Sequence, residues 1–475
     1  DFTPVQRETG GDRIVTQYEM HAVETAGVLK YDFLGIRNLA ILGKAVEIVK
    51  ATLDENVDIY SLPLDDKETF EMLSRGETLG TFQLGGTGMT RWIKELKPST
   101  IDDIMAMVAL YRPGPMESIP EYIRRKHNPE LVEFLDERMK KYLGASFGLL
   151  VYQDDVLLTA IELAGYDWKE ADKFRKAIGK KIPEEMERQK KKFFEGCRDV
   201  GKLPEAKIHH LWELIEPFAA YGFNKAHAAS YGAVAYQTSY MKAHYPVQYM
   251  TAVLQAEFGD SDKVAAIAHE CSRMGIKVLP PDINESFRNF AMVSKPGDPG
   301  RIRFGLNAVK NVGEHICDVV YAERKKNGPY KTLEDFLERV EDKDLNKKSV
   351  TSLTQAGALD CFEIDRGILL ANIENILGYV RQIRDNSASN QDSLFAGTAI
   401  ALDRKVNLED ARTATLDDKL KWEKDLLGIY VSSHPFKYFQ ETMEGVITPL
   451  NEMEEYKRDE WSVVGGVVDK AKKKI

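Results

Sequence analysis

Four cations stand close together in the segment FRKAIGKK, residues 174–181: Arg175, Lys176, Lys180 and Lys181, with no carboxylate among them. The whole chain is acidic, with a formal net charge of -10, so the cluster is local rather than part of a basic protein. Arginine offers a planar fork that meets phosphate in a bidentate way, and lysine adds a point charge. Such a group suits a polyphosphate or a nucleic-acid backbone; the alternative is a helix face solvated in water. A second group lies in AYGFNKAHAASYGAVAYQTSYMKAHYP, residues 220–246. There Lys225, His227, Lys242 and His244 alternate with Tyr221, Tyr231, Tyr236 and Tyr240. Rings that stack on bases beside cations that meet phosphates suit nucleotide binding. Taken one at a time, buried tyrosines and a satisfied histidine are the better account of each residue. A third feature, YRPGPM at residues 111–116, is a rigid turn that holds Arg112 out of a helix.

Helices must position most of these groups. Gly165 ends one helix, and Asp167 caps the next, with Glu170 three residues on completing a capping-box start. Lys173, Lys176 and Lys180 then share a face, while Arg175 points toward Asp172. From about residue 65 to 260 the apolar period is helical. The start GVLKYDFLGI, residues 27–36, reads as a strand running into a helix striped by Leu39, Leu42, Val46 and Val49. Pro280, Pro281, Pro296 and Pro299 exclude long helices from the following section, whose apolar pieces suggest short strands. Short helices run to about 385, and RDNSASNQ, residues 384–391, reads as a polar linker.

Length and composition bound the answer. A chain of 475 residues implies roughly three domains. Hydrophobic residues make up 43% and charged residues 29%, the balance of a globular protein, and no apolar run reaches membrane-spanning length. Cys197, Cys271, Cys317 and Cys361 are scattered without metal-ligand spacing, which suits a reducing cytoplasm. The first residue is Asp1, and the chain closes on VVGGVVDKAKKKI, an apolar run followed by lysines; it reads as an excerpt of a longer protein.

Seven segments, in order, carry a resemblance: LKYDFLGIRNL, FQLGGTGM, ALYRPGPMES, VYQDDV, FRKAIGKKIPEEM, the 220–246 stretch and LPPDIN. Together they resemble the bacterial C-family replicative DNA polymerases, the DNA polymerase III alpha subunits, over essentially the whole chain. The resemblance implies a multidomain α/β protein, predominantly helical. Residues 1–60 would be the end of a nucleotidyltransferase-type palm and 61–260 the fingers. Residues 261–385 would complete the fingers and form a tandem helix-hairpin-helix region. Residues 386–455 would hold a clamp-binding motif and connector, and 456–475 the start of an OB-fold.

The implied activity is template-dependent transfer of a nucleotide to a primer 3′-hydroxyl with two Mg²⁺ ions. Asp32, in the family's palm motif, would be one of three metal-binding carboxylates, with Lys30 beside it on phosphate. Strand alternation would put Lys30 and Asp32 on one face, with Tyr31 and Phe33 packed in the core. A carboxylate is a hard ligand suited to Mg²⁺. The motif with the other two aspartates is not found in this sequence, so the metal site is incomplete and the chain alone is expected to be inactive. Arg112, Arg175, Lys176, Lys180, Lys181, Asn224, Lys225 and His227 would meet the incoming triphosphate. The family's polar pair after Leu84 is Gly85 and Gly86 here, a change expected to loosen that turn.

The resemblance also implies DNA handling. NAVKNVG, residues 307–313, matches a helix-hairpin-helix turn, in which Lys310, Asn311 and Gly313 would hold a DNA phosphate through backbone N–H groups. TQAGALD near Gly357 is a candidate second hairpin, or an ordinary helix turn. QDSLF, residues 391–395, resembles the sliding-clamp-binding motif, with Leu394 and Phe395 as anchors and Gln391 at the rim. Implied partners are primer-template DNA, a deoxynucleoside triphosphate, the sliding clamp, and proofreading-exonuclease and clamp-loader subunits, in the cytoplasm and without a membrane. Two other readings stay open: a non-catalytic DNA-binding, clamp-tethering scaffold, and an error-prone member of the same family.

Overall fold

The structure is a computed structural model that describes residues 2–31, 33–180, 183–218, 222–294, 300–388, 405–443, 446–448 and 461–468. It divides into two compact units, Asp1–Ala40 and Ile41–Ile475. The first holds an antiparallel hairpin, β1 (Val5–Arg7) with β2 (Ile14–Thr16), in the register Val5↔Thr16. Helix α1 (Met20–Thr25) follows, capped by the Glu19 carboxylate. The strand expected across 27–36 is absent among its described residues. Tyr31 and Phe33, expected in the core, are exposed. The physical reason is pairing: β1 and β2 use each other, no described strand lies alongside 27–36, and an unpaired strand has neither ladder nor face to bury. Helix α2 (Arg37–Leu53) crosses into the second unit, where Leu42, Val46 and Val49 face the core as their spacing predicts, while Leu39 is exposed.

The second unit opens as a helical array. Helices α3 (Lys67–Ser74), α4 (Thr87–Leu96), α5 (Ile101–Leu110), α6 (Ile119–His127) and the single turn α7 (Lys140–Leu143) lead to α8 (Gln153–Ala164). Next come α9 (Trp168–Lys180), α10 (Pro183–Asp199), α11 (Glu205–Phe218), α12 (Lys225–His244), α13 (Pro246–Ala256) and α14 (Ser261–Arg273). The punctuation of α8 and α9 follows the sequence. Gly165 takes φ 69° at the end of α8. Asp167 Oδ1 accepts from Glu170 N at 2.7 Å, and Glu170 Oε2 accepts from Asp167 N at 3.2 Å. Ala171, Phe174 and Ala177 form the buried face of α9, so Lys173 and Lys176 face outward while Arg175 is half-buried. Phe174 stacks on Phe193 of α10 with ring centroids 5.2 Å apart, against Trp212 of α11.

Helix α12 is the axis of the array. It packs on α5 at Gly232, where an added Cβ would lie 2.6 Å from Met105 Cγ, so only glycine permits this approach. Near its other end Lys242 is fully buried. Its ammonium donates to Glu77 O (2.9 Å), Leu79 O (2.8 Å) and Glu270 Oε1 (2.6 Å). The turn before α4 is tight rather than loosened, because a Cβ at Gly85 would come within 3.1 Å of Thr78 O.

Beyond α14 a small sheet runs in the order β3 (Val278–Leu279), β5 (Arg301–Arg303), β4 (Ala291–Val293). β3 is parallel and β4 antiparallel to β5, which bears out the short strands of the proline-rich section. Helices α15 (Glu314–Asn327), α16 (Leu333–Arg339), α17 (Lys347–Gln355), α18 (Arg366–Ala371) and α19 (Ile373–Ala388) pack around it, followed by α20 (Leu416–Leu427) and α21 (Pro435–Thr442). Two expectations are corrected here. Residues 384–388 continue α19 instead of starting a linker, because the helix that begins at Ile373 already supplies their backbone partners. Residues 461–468 form no strand, and Trp461, Val463, Val464, Val467 and Val468 are exposed. Their one described backbone bond beyond the segment, Thr448 N to Val463 O at 2.8 Å, is too little to make a ladder.

Candidate functional site

Two helix starts meet. Tyr152 and Phe223 form an isolated parallel bridge, and Gln153 N donates to Phe223 O at 2.8 Å. This places the first residue of α8 beside the residues that lead into α12. Asp155 closes the first turn of α8 by accepting from Val151 N and Tyr152 N, at 2.9 and 2.7 Å. Burial pushes its carboxyl up to about 6 against the pull of those bonds. Asn224 caps α12 with Oδ1 accepting from His227 N at 2.8 Å, and Asp154 accepts from Lys225 N at 3.1 Å. The positive ends of two helices are thereby held side by side.

Predicted cations gather on this junction. Arg175 Nη1 reaches Gln153 Oε1 at 3.3 Å, which ties α9 to the start of α8. The Arg112 guanidinium lies 4.6 Å from the centre of the Phe223 ring, and its Nε donates to Ala109 O at 2.9 Å. Lys225 Nζ is 5.4 Å from the centre of the Tyr152 ring. The His227 ring sits between Phe223 (5.3 Å) and Tyr231 (4.0 Å), and Phe82 backs Tyr231 at 5.1 Å. Arg112 is half-buried, and burial lowers its pKa from an ordinary value so high that the guanidinium stays charged.

The cluster on α9 is less bare than its sequence implies. Asp172, one turn back, takes Lys176 (2.6 Å) and Arg175 (2.8 Å), and these bonds hold its carboxyl below the usual range. Lys180 lies in α9, but its side chain is outside the described residues, as is Lys181. Asp32 is also outside them, and Lys30 is exposed in the first unit. Lys242 and His244 belong elsewhere: Lys242 in its buried pair, and His244 against Asp66, the cap of α3, at 2.9 Å. Gln153, Phe223 and Phe82 were not singled out from sequence. VYQDDV held the one usable signal, an apolar pair followed by the acidic first turn of a helix.

The hairpin region keeps the predicted turn. Asn311 adopts φ 71° and its Nδ2 donates to Ser352 Oγ at 3.2 Å. Gly313 opens α15 without a side-chain cap, and nothing lies within 4 Å of where its Cβ would be. Lys310 is exposed, and its backbone N–H donates to Leu426 O at 3.1 Å. Gly357, by contrast, is buried at φ 84° at the end of α17, with Arg366 and Asp360 against it. Gln391, Leu394 and Phe395 lie outside the described residues.

Metal-ligand geometry is sparse at the cation group. Its two exposed-side carboxylates are committed, Asp172 to Arg175 and Lys176, and Asp154 to the start of α12, so no free hard-oxygen pair for Mg²⁺ is assembled there among the described residues. One potential group lies apart: ligand atoms of His315, Asp342 and Asp344 fall within 4.8 Å of one another, with His315 Nε2 hydrogen-bonded to Asp342 Oδ2 at 2.9 Å. A cleft of about 750 Å³ between Gly114–Ser118 and α11 contains none of the predicted site residues. Among the described residues no helix is long and apolar enough to cross a membrane.

Comparison with known proteins agrees with this layout. A family model described as the bacterial DNA polymerase III alpha subunit finger domain matches residues 38–201, and one for a helix-hairpin-helix motif matches residues 275–369. The DNA polymerase III subunit alpha of Thermus aquaticus is 44% identical over 464 residues, covering 97% of this chain and 37% of that protein. The same subunit of Deinococcus radiodurans is 38% identical over 468 residues, with 96% and 34% covered. That of Aquifex aeolicus is 37% identical over 476 residues, with 100% and 39% covered. The chain spans well under half the length of these curated relatives.

Proposed function

The chain belongs to the family of bacterial DNA polymerase III alpha subunits, and on that premise we propose that its helical array is the nucleotide-binding part of a template-dependent DNA polymerase. The observation that carries the reading is the junction of α8 and α12, where Arg112, Arg175, Lys225 and His227 converge on the Tyr152–Phe223 bridge. Two helix starts and three permanent cations make a field suited to a triphosphate. Arg112, clamped on an aromatic face and a backbone carbonyl, presents a fork of fixed orientation. Arg175 and Lys176 exchange part of their pairing with Asp172 for phosphate oxygens, with Lys180 and Lys181 next to them in sequence. Asn224 keeps the start of α12 in place.

Mg²⁺, when bound, supplies charge neutralisation of the phosphates and a more acidic primer hydroxyl. Asp32 is the residue of this chain that would hold it, together with two family carboxylates not found in this sequence; Lys30 would assist on phosphate. Duplex DNA would bind at the hairpin through Lys310, Asn311 and the open start of α15 at Gly313. The sliding clamp would take Leu394 and Phe395 in an apolar pocket with Gln391 at its rim. Proofreading and clamp-loader subunits, and a cytoplasmic setting, follow from the same reading.

Arg175→Ala in the full-length enzyme tests it. Loss of a charge-assisted phosphate contact costs about 1.5–3 kcal/mol, or roughly 10- to 100-fold in nucleotide KM or kcat/KM. Unchanged incorporation kinetics in a folded variant would return the cluster to a solvated helix face. The chain alone should give no primer extension at saturating Mg²⁺, and any extended product would overturn the incomplete-site reading.

A further inference from the structure

His227 is exposed, and neither of its ring nitrogens has a hydrogen-bond partner among the described residues; the polar contact of this residue is through its backbone N–H. Nothing polar therefore fixes the ring. Its orientation is left to its neighbours, Phe223 on one side and Tyr231 at 4.0 Å on the other. Tyr231 lies four residues on, on the same helix face, so its own backbone is held by α12. The phenol hydroxyl of Tyr231 likewise has no partner among the described residues, so the ring, not the oxygen, makes the contact. Behind it stands Phe82, only 9% exposed, whose backbone N–H is anchored to Thr238 Oγ1 at 3.0 Å two turns further along α12. The series of tilted ring contacts from Phe82 through Tyr231 and His227 to Phe223 thus runs from a rigid anchor to the ring that also carries Arg112.

We propose that Tyr231, braced by Phe82, is a positioning residue that sets the orientation of the His227 imidazole so that both its nitrogens face the bound nucleotide. The inference rests on the nucleotide-binding reading of the α8–α12 junction. A ring held only by apolar ring contacts pivots about χ1 and χ2 when one wall is removed, and the lost order reduces binding without touching the chemistry of distant groups.

The test measures single-nucleotide incorporation by the full-length polymerase carrying Tyr231→Leu, Tyr231→Phe, His227→Ala and the double change His227→Ala with Tyr231→Leu. Melting of each variant confirms that it is folded. Tyr231→Leu should raise nucleotide KM about tenfold with kcat within about twofold, the cost of one misplaced contact. Tyr231→Phe should restore the wild-type KM, because it keeps the ring. The double variant should be no worse than His227→Ala, because Tyr231 acts through His227. If His227→Ala raises KM and Tyr231→Leu does not, the positioning role is wrong while the site stands. Multiplied effects in the double variant, or loss in Tyr231→Phe, would also overturn it by giving Tyr231 a contact of its own. If both His227→Ala and Tyr231→Leu leave KM unchanged, the nucleotide-binding reading falls, and this inference with it.

Discussion

The two ends of α12 carry the same residue types and have opposite fates. At the start, Lys225 and His227 sit on aromatic faces, partly open, with the imidazole nitrogens unengaged among the described residues. At the far end, Lys242 is sealed against two carbonyls and Glu270, and His244 is spent on Asp66. The first arrangement leaves charge available to a ligand. The second spends charge on fixing the loop before α4 and the cap of α3. A lysine and a histidine two residues apart therefore say little about function until their surroundings are known, because desolvation and pairing decide which role each takes.

The largest effect that would sharpen this contrast is Lys242→Met. Removing one member of a buried pair should destabilise the chain by about 3 kcal/mol, measured by urea unfolding, since Glu270 keeps only Arg273 and two carbonyls lose their donor. Lys225→Ala should do the reverse, with stability within about 1 kcal/mol of the parent and nucleotide affinity of the full-length enzyme reduced roughly tenfold. Equal stability losses at the two ends would break the comparison. Acid offers a third probe. Burial opposes ionisation of Glu270, yet the bonds from Arg273 and Lys242 hold its pKa at about 2 against a usual 4.5. A lowered carboxyl pKa means stability present above about 4.5 and lost as pH falls toward about 2. In the Lys242→Met variant that acid loss should be smaller. Smallest of all, His244→Ala should cost about 0.5 kcal/mol, as a partly exposed pair with Asp66, without changing nucleotide KM.

Local rules were the legible part. Gly165, Asp167 and Glu170 end one helix and begin the next because capping depends on residues within a turn of each other. Asn311 keeps its left-handed turn because asparagine tolerates that conformation, and Asn311→Ala should cost about 1 kcal/mol by putting alanine at φ 71° and losing the bond to Ser352. What sequence reading lost was everything set by distant partners. The apolar run at 27–36 has strand composition but no described strand to pair with. Residues 384–388 look like a linker, yet a helix already under way carries them along. Arg112, Arg175, Lys225 and His227 stand out one by one in the sequence, but the element that brings them together, the bridge between Tyr152 and Phe223, has no local signature.

The bare contact at Gly232 has a consequence for how this machinery fails. A single methyl there would meet Met105 Cγ at 2.6 Å and act as a wedge between α5 and α12, whose ends lead to Arg112 and His227. The two grips would drift out of step while each remained intact. Damage of that kind registers as a slackened hold on cargo in a protein that still melts as one piece, and the smallest coding change at one codon is enough to cause it.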